Sequence, residues 1–219
     1  LSRGLGDVYK RQVSILFEYE KAITPAIISD NAVGIDYKSD GLYMDSNGYC
    51  PFGHKYYRQN QEKLAQAQRK LKHMAIGSNN YKKQQCKIAK IQKHTSNQRL
   101  DFLHKESTKI TNLYDIVCVE TLDMKAMSNK AFGNGKATMD NGYGMFLNML
   151  EYKLANRGKY FVKVDKWYPS SQLCSCCGKQ KKLTLADRIY KCDCGLTINR
   201  DHNAAINIKN EGLRILKSA

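Results

Sequence analysis

The spacing of apolar positions changes several times along this chain, and each change predicts an element. Val33-Gly34-Ile35-Asp36 is a short apolar run that ends in a carboxylate and predicts a strand. GLYMDSNG (41–48) predicts a second strand closed by a turn at Ser46-Asn47-Gly48. YCPFGHKYY (49–57) reads as a third, interrupted by Pro51. From about Lys55 to Asn112 the period lengthens. Leu64, Ala67, Leu71 and Met74 recur at helical spacing, IGSNN (76–80) breaks the pattern, and Ile88, Ile91, Thr95, Leu103, Ile110 and Leu113 form a second stripe. These stripes predict an antiparallel helical hairpin over 55–112. DIVCVET (115–121) holds four apolar residues in succession before Glu120, which suits a central strand buried on both faces. FGNGKATMDNGYG (132–144) reads as a flexible Gly-rich connector or, beside an acidic strand end, as a lid. MFLNMLEYKLANRG (145–158) predicts a helix stopped by Gly158. KYFVKVDKW (159–167) predicts a strand. A last helix carries Ala205, Ile208, Gly212 and Ile215 on one stripe, with Asp201 expected at its N-cap.

Composition narrows the function classes. The 219 residues are 42% hydrophobic, enough for a core, yet nothing approaches the roughly 20 apolar residues of a membrane span. A soluble protein is expected. The net charge of +16 favours an acidic partner, nucleic acid first. Residues 55–112 hold 14 Lys and Arg against three acids, so the hairpin is either a solvated face or a basic arm for phosphates. Arg69, Lys70, Lys82 and Lys83 are its candidate contacts. The opening LSRGLGDVYKRQ has no apolar core for a signal peptide. Asp7 to Gln12 can be encoded by a string resembling a sequencing-library adaptor end. Residues 1–12 are therefore expected to be a non-native scar that packs against nothing.

Five of the eight cysteines lie between Cys174 and Cys194. Cys174-x-x-Cys177-Gly178 and Cys192-x-Cys194-Gly195 are two knuckles with 14 residues between them. Four thiolates from two loops can surround one tetrahedral Zn²⁺, a closed and hence structural site. A redox pair or a disulfide is the competing reading. Cys176 is a fifth thiol, expected to stand aside unless it replaces a neighbour. Lys181 and Lys182 beside the knuckles, and Arg200 just after them, are further candidate phosphate contacts.

Three acids remain: Asp36 and Glu120 at strand ends, and Asp201 at a helix start. Each alone has a structural explanation as turn residue, surface carboxylate or cap. Together they fit a site for two Mg²⁺ ions, which need oxygen ligands and can hydrolyse a phosphodiester. The element order matches an α/β, RNase H-like nuclease core. A His-Asn-His type site around His202 and Asn203 would need a second His in a ββα motif. The nearest upstream His, His104, falls in a helical segment.

VGID, DIVCVET, WYPSSQLCSCCG and YKCDCGLTINRDHNAAINI resemble, in that order, the RuvC-like nuclease and zinc ribbon of TnpB (OrfB) proteins of bacterial insertion sequences. The resemblance covers roughly residues 30–215. It implies a cytoplasmic, RNA-guided DNA endonuclease with guide RNA and DNA as partners and no membrane. It places Asp36, Glu120 and Asp201 as the magnesium triad, with Arg200, Asn203, Ala204 and Ala205 fitting the third motif. Cys174, Cys177, Cys192 and Cys194 are then the zinc ligands. The implied layout is a barrel remnant and linker over 13–29, a RuvC-like core over 30–171, a ribbon over 172–198 and a last helix over 199–219. Asn199 stands where the family usually has another Asp. The family's N-terminal barrel and helical domain read the target-adjacent DNA motif and hold much of the guide, so this chain is expected to be the catalytic half. Non-catalytic nucleic-acid binding and DNA strand transfer are the alternatives.

Overall fold

A continuous apolar strand needs cover on both faces, and the fold supplies it. The computed structural model describes residues 15, 16, 18, 20, 22–53, 55–123, 140–184 and 186–218. Four strands form one sheet in the order β2-β1-β3-β4: β1 (Ala32–Tyr37), β2 (Tyr43–Asp45), β3 (Ile116–Glu120) and β4 (Tyr160–Val164). β2 is antiparallel to β1, whereas β1, β3 and β4 run parallel. β3 lies in the interior, and Ile116, Val117, Cys118 and Val119 are all fully buried.

The helices divide between the two faces. On one side Val33, Ile35, Val117 and Val119 pack with Leu103 and Ile110 of α2 (Asn79–Leu113) and with Phe146, Leu150 and Leu154 of α3 (Tyr143–Ala155). On the other, Ala32, Ile116, Cys118, Val162 and Val164 pack against Ile208 of α4 (Arg200–Lys217). α4 sits close because two glycines let it. A Cβ on Gly34 would run into the Ala205 carbonyl and come within 2.6 Å of the Lys209 nitrogen, and one on Gly212 would run into the Cys118 sulfur.

α1 (Tyr56–Lys72) and the first half of α2 form the expected hairpin, with its own small core of Leu64, Ala67, Ile88 and Ile91. Ser78 caps α2 by accepting from the Tyr81 N–H. A two-stranded hairpin, β5 (Ile189–Lys191) with β6 (Thr197–Asn199), carries the cysteine region and runs directly into α4.

Some expectations fail. YCPFGHKYY contributes no strand among its described residues: Pro51 has no N–H for a ladder, and Gly53 is pressed against the Asp40 carbonyl, so the chain folds back instead. Leu113 is not on the buried stripe; it ends α2 with 55% of its surface exposed. Asp201 is not the N-cap of α4. Asn199 is, accepting from the Asp201 and His202 N–H groups. Of the barrel remnant expected over 13–29, residues 13, 14, 17, 19 and 21 lie outside the described residues, and Ile15, Leu16 and Glu18 are in no strand. Residues 1–12 and most of the Gly-rich connector also lie outside them.

Candidate active site and metal-binding cluster

Side chains two apart on a strand share a face. Gly34 and Cys118 both lie beneath α4, so Asp36 and Glu120, two residues further on, leave the sheet on the α4 side. Ile35 pairs with Val119, which makes Asp36 and Glu120 neighbours at the C-terminal ends of adjacent parallel strands. Asp201 joins them from the first turn of α4. Three carboxylates distant in sequence thus share one electrostatic site. Burial, then the charges of Glu120 and Asp201, raise the Asp36 carboxyl well above the usual range, and Arg200 works in the opposite direction. Burial pushes Glu120 up to about 7. Mutual repulsion that raises a carboxyl is the condition a divalent cation relieves, and an all-oxygen donor set suits Mg²⁺.

Asp201 is flanked by cations. Lys38 Nζ lies 3.6 Å from Asp201 Oδ2, and Arg200 Nε lies 3.6 Å from Oδ1. Arg200 also donates to the Thr184 carbonyl, so this candidate phosphate contact is a half-buried neighbour of the acids. Lys38 was not singled out by its motif, although its place two residues after Asp36 is a signal that could have found it. It also borders an open hollow of about 780 Å³ lined by Asp40, Phe52, Lys55 and Arg58 among others. Behind the acids, Tyr143 is fully buried and its hydroxyl finds no partner among the described residues.

The cysteines form a second cluster. The sulfurs of Cys174, Cys177, Cys192 and Cys194 all lie within 4.8 Å of one another, and among the described residues they are the group able to hold a metal at that spacing. The carboxylates are spread more widely. Cys174 and Cys194 sulfurs are 3.6 Å apart, as are those of Cys177 and Cys192. Zn–S bonds of about 2.3 Å in a tetrahedron place sulfurs roughly 3.8 Å apart, so the cluster fits that ion. Burial opposes ionisation of Cys174, yet the facing N–H groups of Cys177 and Cys176 and the neighbouring thiols lower it to about 7. Gly178 and Gly195 take positive φ values of 72° and 94° in the two knuckles. Cys176 is exposed and outside the cluster.

The other basic candidates fall in two places. Arg69 and Lys70 end α1 while Lys82 and Lys83 begin α2, so all four are exposed near the hairpin tip. Lys181 and Lys182 are exposed on the cysteine hairpin.

The chain is similar to known proteins along most of its length. Residues 14–131 match the OrfB_IS605 family model, described as a probable transposase, and residues 143–208 match the Cas12f1-like TNB domain. The chain is 39% identical over 198 residues to a Streptomyces pristinaespiralis protein named "Putative RNA-guided DNA endonuclease", covering 89% of this chain and 48% of that one. It is 31% identical over 223 residues to InsQ of Escherichia coli K12, which bears the same description, covering 94% of this chain and 55% of that one. The chain therefore spans about half the length of these relatives. Among solved structures, a Cas12f1–sgRNA–target DNA complex aligns with a TM-score of 0.57 at 21% identity, covering 81% of this chain and 49% of that one. A CRISPR–Cas12f ternary complex aligns at 0.58 and 21%, covering 90% and 41%. These show a common fold.

Proposed function

The chain belongs to the OrfB_IS605 family of probable transposases, and from that premise we propose that it is the nuclease portion of an RNA-guided DNA endonuclease with an RNase H-like, RuvC-type centre. Guide RNA and DNA, as in the solved Cas12f1–sgRNA–target DNA complex, are its proposed partners. The observation that carries the reading is the shared field of Asp36, Glu120 and Asp201 at the ends of β1, β3 and the start of α4.

In this reading the three carboxylates, once ionised, hold Mg²⁺, which when bound supplies activation of water and stabilisation of the leaving oxygen. Asp36 and Glu120 are fixed by ladder pairing on the central strands, and Asp201 by the Asn199 cap. Asp36 and Glu120, whose carboxyls burial raises, would have to be ionised to hold the ion. Lys38 and Arg200, positioned on Asp201, can turn towards an incoming phosphate. The four thiolates hold one structural Zn²⁺, and the tip cations of the α1–α2 hairpin lie along the nucleic-acid backbone.

The test is cleavage of end-labelled single-stranded DNA by the zinc-loaded chain with Mg²⁺, alone and with a guide RNA. Asp36→Ala, Glu120→Ala and Asp201→Ala are each expected to reduce cutting to the level of buffer. Equal cutting by all four proteins would remove the triad from the mechanism. Joined rather than merely cut products would instead identify strand transfer.

A further inference from the structure

Asn203 and Asn207 are almost completely buried on α4, at 0% and 4% exposure, and neither touches the sheet's carboxylates in the hydrogen-bond pattern. Their partners lie at the root of the cysteine hairpin. Asn203 Oδ1 accepts from the Ser175 N–H at 3.0 Å, and its Nδ2 donates to the Leu173 carbonyl at 2.6 Å. One amide therefore grips the backbone on both sides of Cys174. Asn207 Nδ2 donates to the same Leu173 carbonyl and to the Ser170 carbonyl, each at 2.8 Å. Leu173 thus accepts twice, which fills the capacity of its carbonyl oxygen. A second connection runs through the chain itself. β6 ends at Asn199, the cap of α4, and the Arg200 N–H donates to the Arg188 carbonyl at 2.9 Å.

Asp201 sits two residues from both Asn199 and Asn203. Its place is bounded on one side by the end of the cysteine hairpin and on the other by the clamp on Cys174. We propose that the cysteine hairpin is a positioning element for the carboxylate centre, acting through Asn203 and Asn207, so that filling the thiolate site sets where Asp201 stands. Without an ion, thiols drawn into one cluster are free to separate, and Cys174 takes the Leu173–Ser175 backbone with it. The buried amides follow, because breaking them leaves unpaired polar groups. With the cluster closed, the first turn of α4, which precedes the Ala205 and Lys209 contacts on Gly34, is held with Asp201 beside Asp36. Asn203 and Asn207 are positioning residues in this account, and neither contacts substrate. The inference rests on the reading of Asp201 as a ligand for a divalent ion.

Two sites joined this way must be coupled reciprocally. The experiment measures zinc affinity of the 219-residue chain by chelator competition, with and without saturating Mn²⁺, and Mn²⁺ affinity by electron paramagnetic resonance, with and without zinc. About tenfold tightening of each ion by the other is expected, within the usual range for coupled sites. Asp201→Asn should abolish the effect of Mn²⁺ on zinc. Asn203→Leu and Asn207→Leu should leave zinc bound and far-UV circular dichroism intact while reducing the coupling towards one. Equal Mn²⁺ affinity in zinc-loaded and zinc-free wild-type chain overturns the proposal, and that comparison needs no variant. Coupling that survives in both folded leucine variants overturns the asparagine route. If the zinc-loaded wild type and Asp201→Asn bind Mn²⁺ equally, the carboxylate centre itself fails, an outcome distinct from loss of coupling alone.

Discussion

Glu120 holds its proton to about pH 7, where an exposed glutamate loses it near 4.5. The direction for Asp36 is the same. A carboxyl raised in the folded state stabilises the fold while it stays protonated, and that contribution is lost as pH rises from the unfolded value through the folded one. Without divalent ions the chain should therefore lose stability between about pH 4.5 and 7, by on the order of 2–3 kcal/mol from Glu120 after allowing for its partial exposure. Thermal melts of wild type and Glu120→Gln across that range isolate this contribution, because the glutamine cannot titrate. The variant should lose less stability with rising pH, and added Mg²⁺ at pH 8 should stabilise wild type more than the variant. Parallel pH profiles for the two proteins would show that Glu120 titrates normally.

At the scale of elements, the seat of α4 on β1 is the most sensitive contact. A methyl group at Gly34 collides with backbone atoms of Ala205 and Lys209, which cannot rotate aside. Gly34→Ala should cost about 1–3 kcal/mol, as overpacking does. It should also lift the first turn of α4 away from Asp36. A displacement near 1 Å can cost about a hundredfold in rate, so Mg²⁺-dependent cleavage should fall far more than the melting temperature implies. A loss of activity no larger than the unfolded fraction would argue against this coupling. Much of this arrangement is legible in the sequence. The apolar run before Glu120 states that its strand is buried on both faces, the Ala205–Ile208–Gly212 stripe states which face of α4 is buried, and Gly212 on the stripe hints at close approach. Two local rules mislead. Asn199 and Asp201 are both good cap residues two positions apart, and only the path of β6 decides between them. YCPFGHKYY has the aromatic content of a strand, but Pro51 and Gly53 serve a fold-back. Lys38, Asn203 and Asn207 acquire their partners only when α4 crosses the sheet and meets the cysteine hairpin, and spacing does not encode that crossing. The two cysteine pairs are plain in the sequence, whereas the close approaches of Cys174 to Cys194 and Cys177 to Cys192 arise only as the chain folds.

At the scale of the whole molecule, charge and core are separated. The two main buried clusters lie on the two faces of the sheet, while the basic hairpin has a small core of its own. Its tip cations are exposed, so reversing them should change stability by little, within about 0.5 kcal/mol. Replacing Arg69, Lys70, Lys82 and Lys83 by Glu should weaken binding of single-stranded DNA. If all four meet phosphates, the slope of log affinity against log salt should fall by up to about 3, at roughly 0.7 per contact. Fluorescence anisotropy over a salt series measures this, and an unchanged slope would assign the hairpin to solvent alone. No described helix is long and apolar enough to cross a membrane. The hairpin also has a length worth expressing in other units. Leu103 and Ile110 tie the second half of α2 under the sheet, whereas the buried Gln84 and Ile91 of its first half face α1, with Gln84 donating to the Ala67 carbonyl. The stretch from Asn79 to Gln98 is about 30 Å of unbroken helix. Measured against a polynucleotide at about 3.4 Å per step, that is roughly nine bases. A strand lying along this stretch would stay within reach of the hairpin for about that many bases.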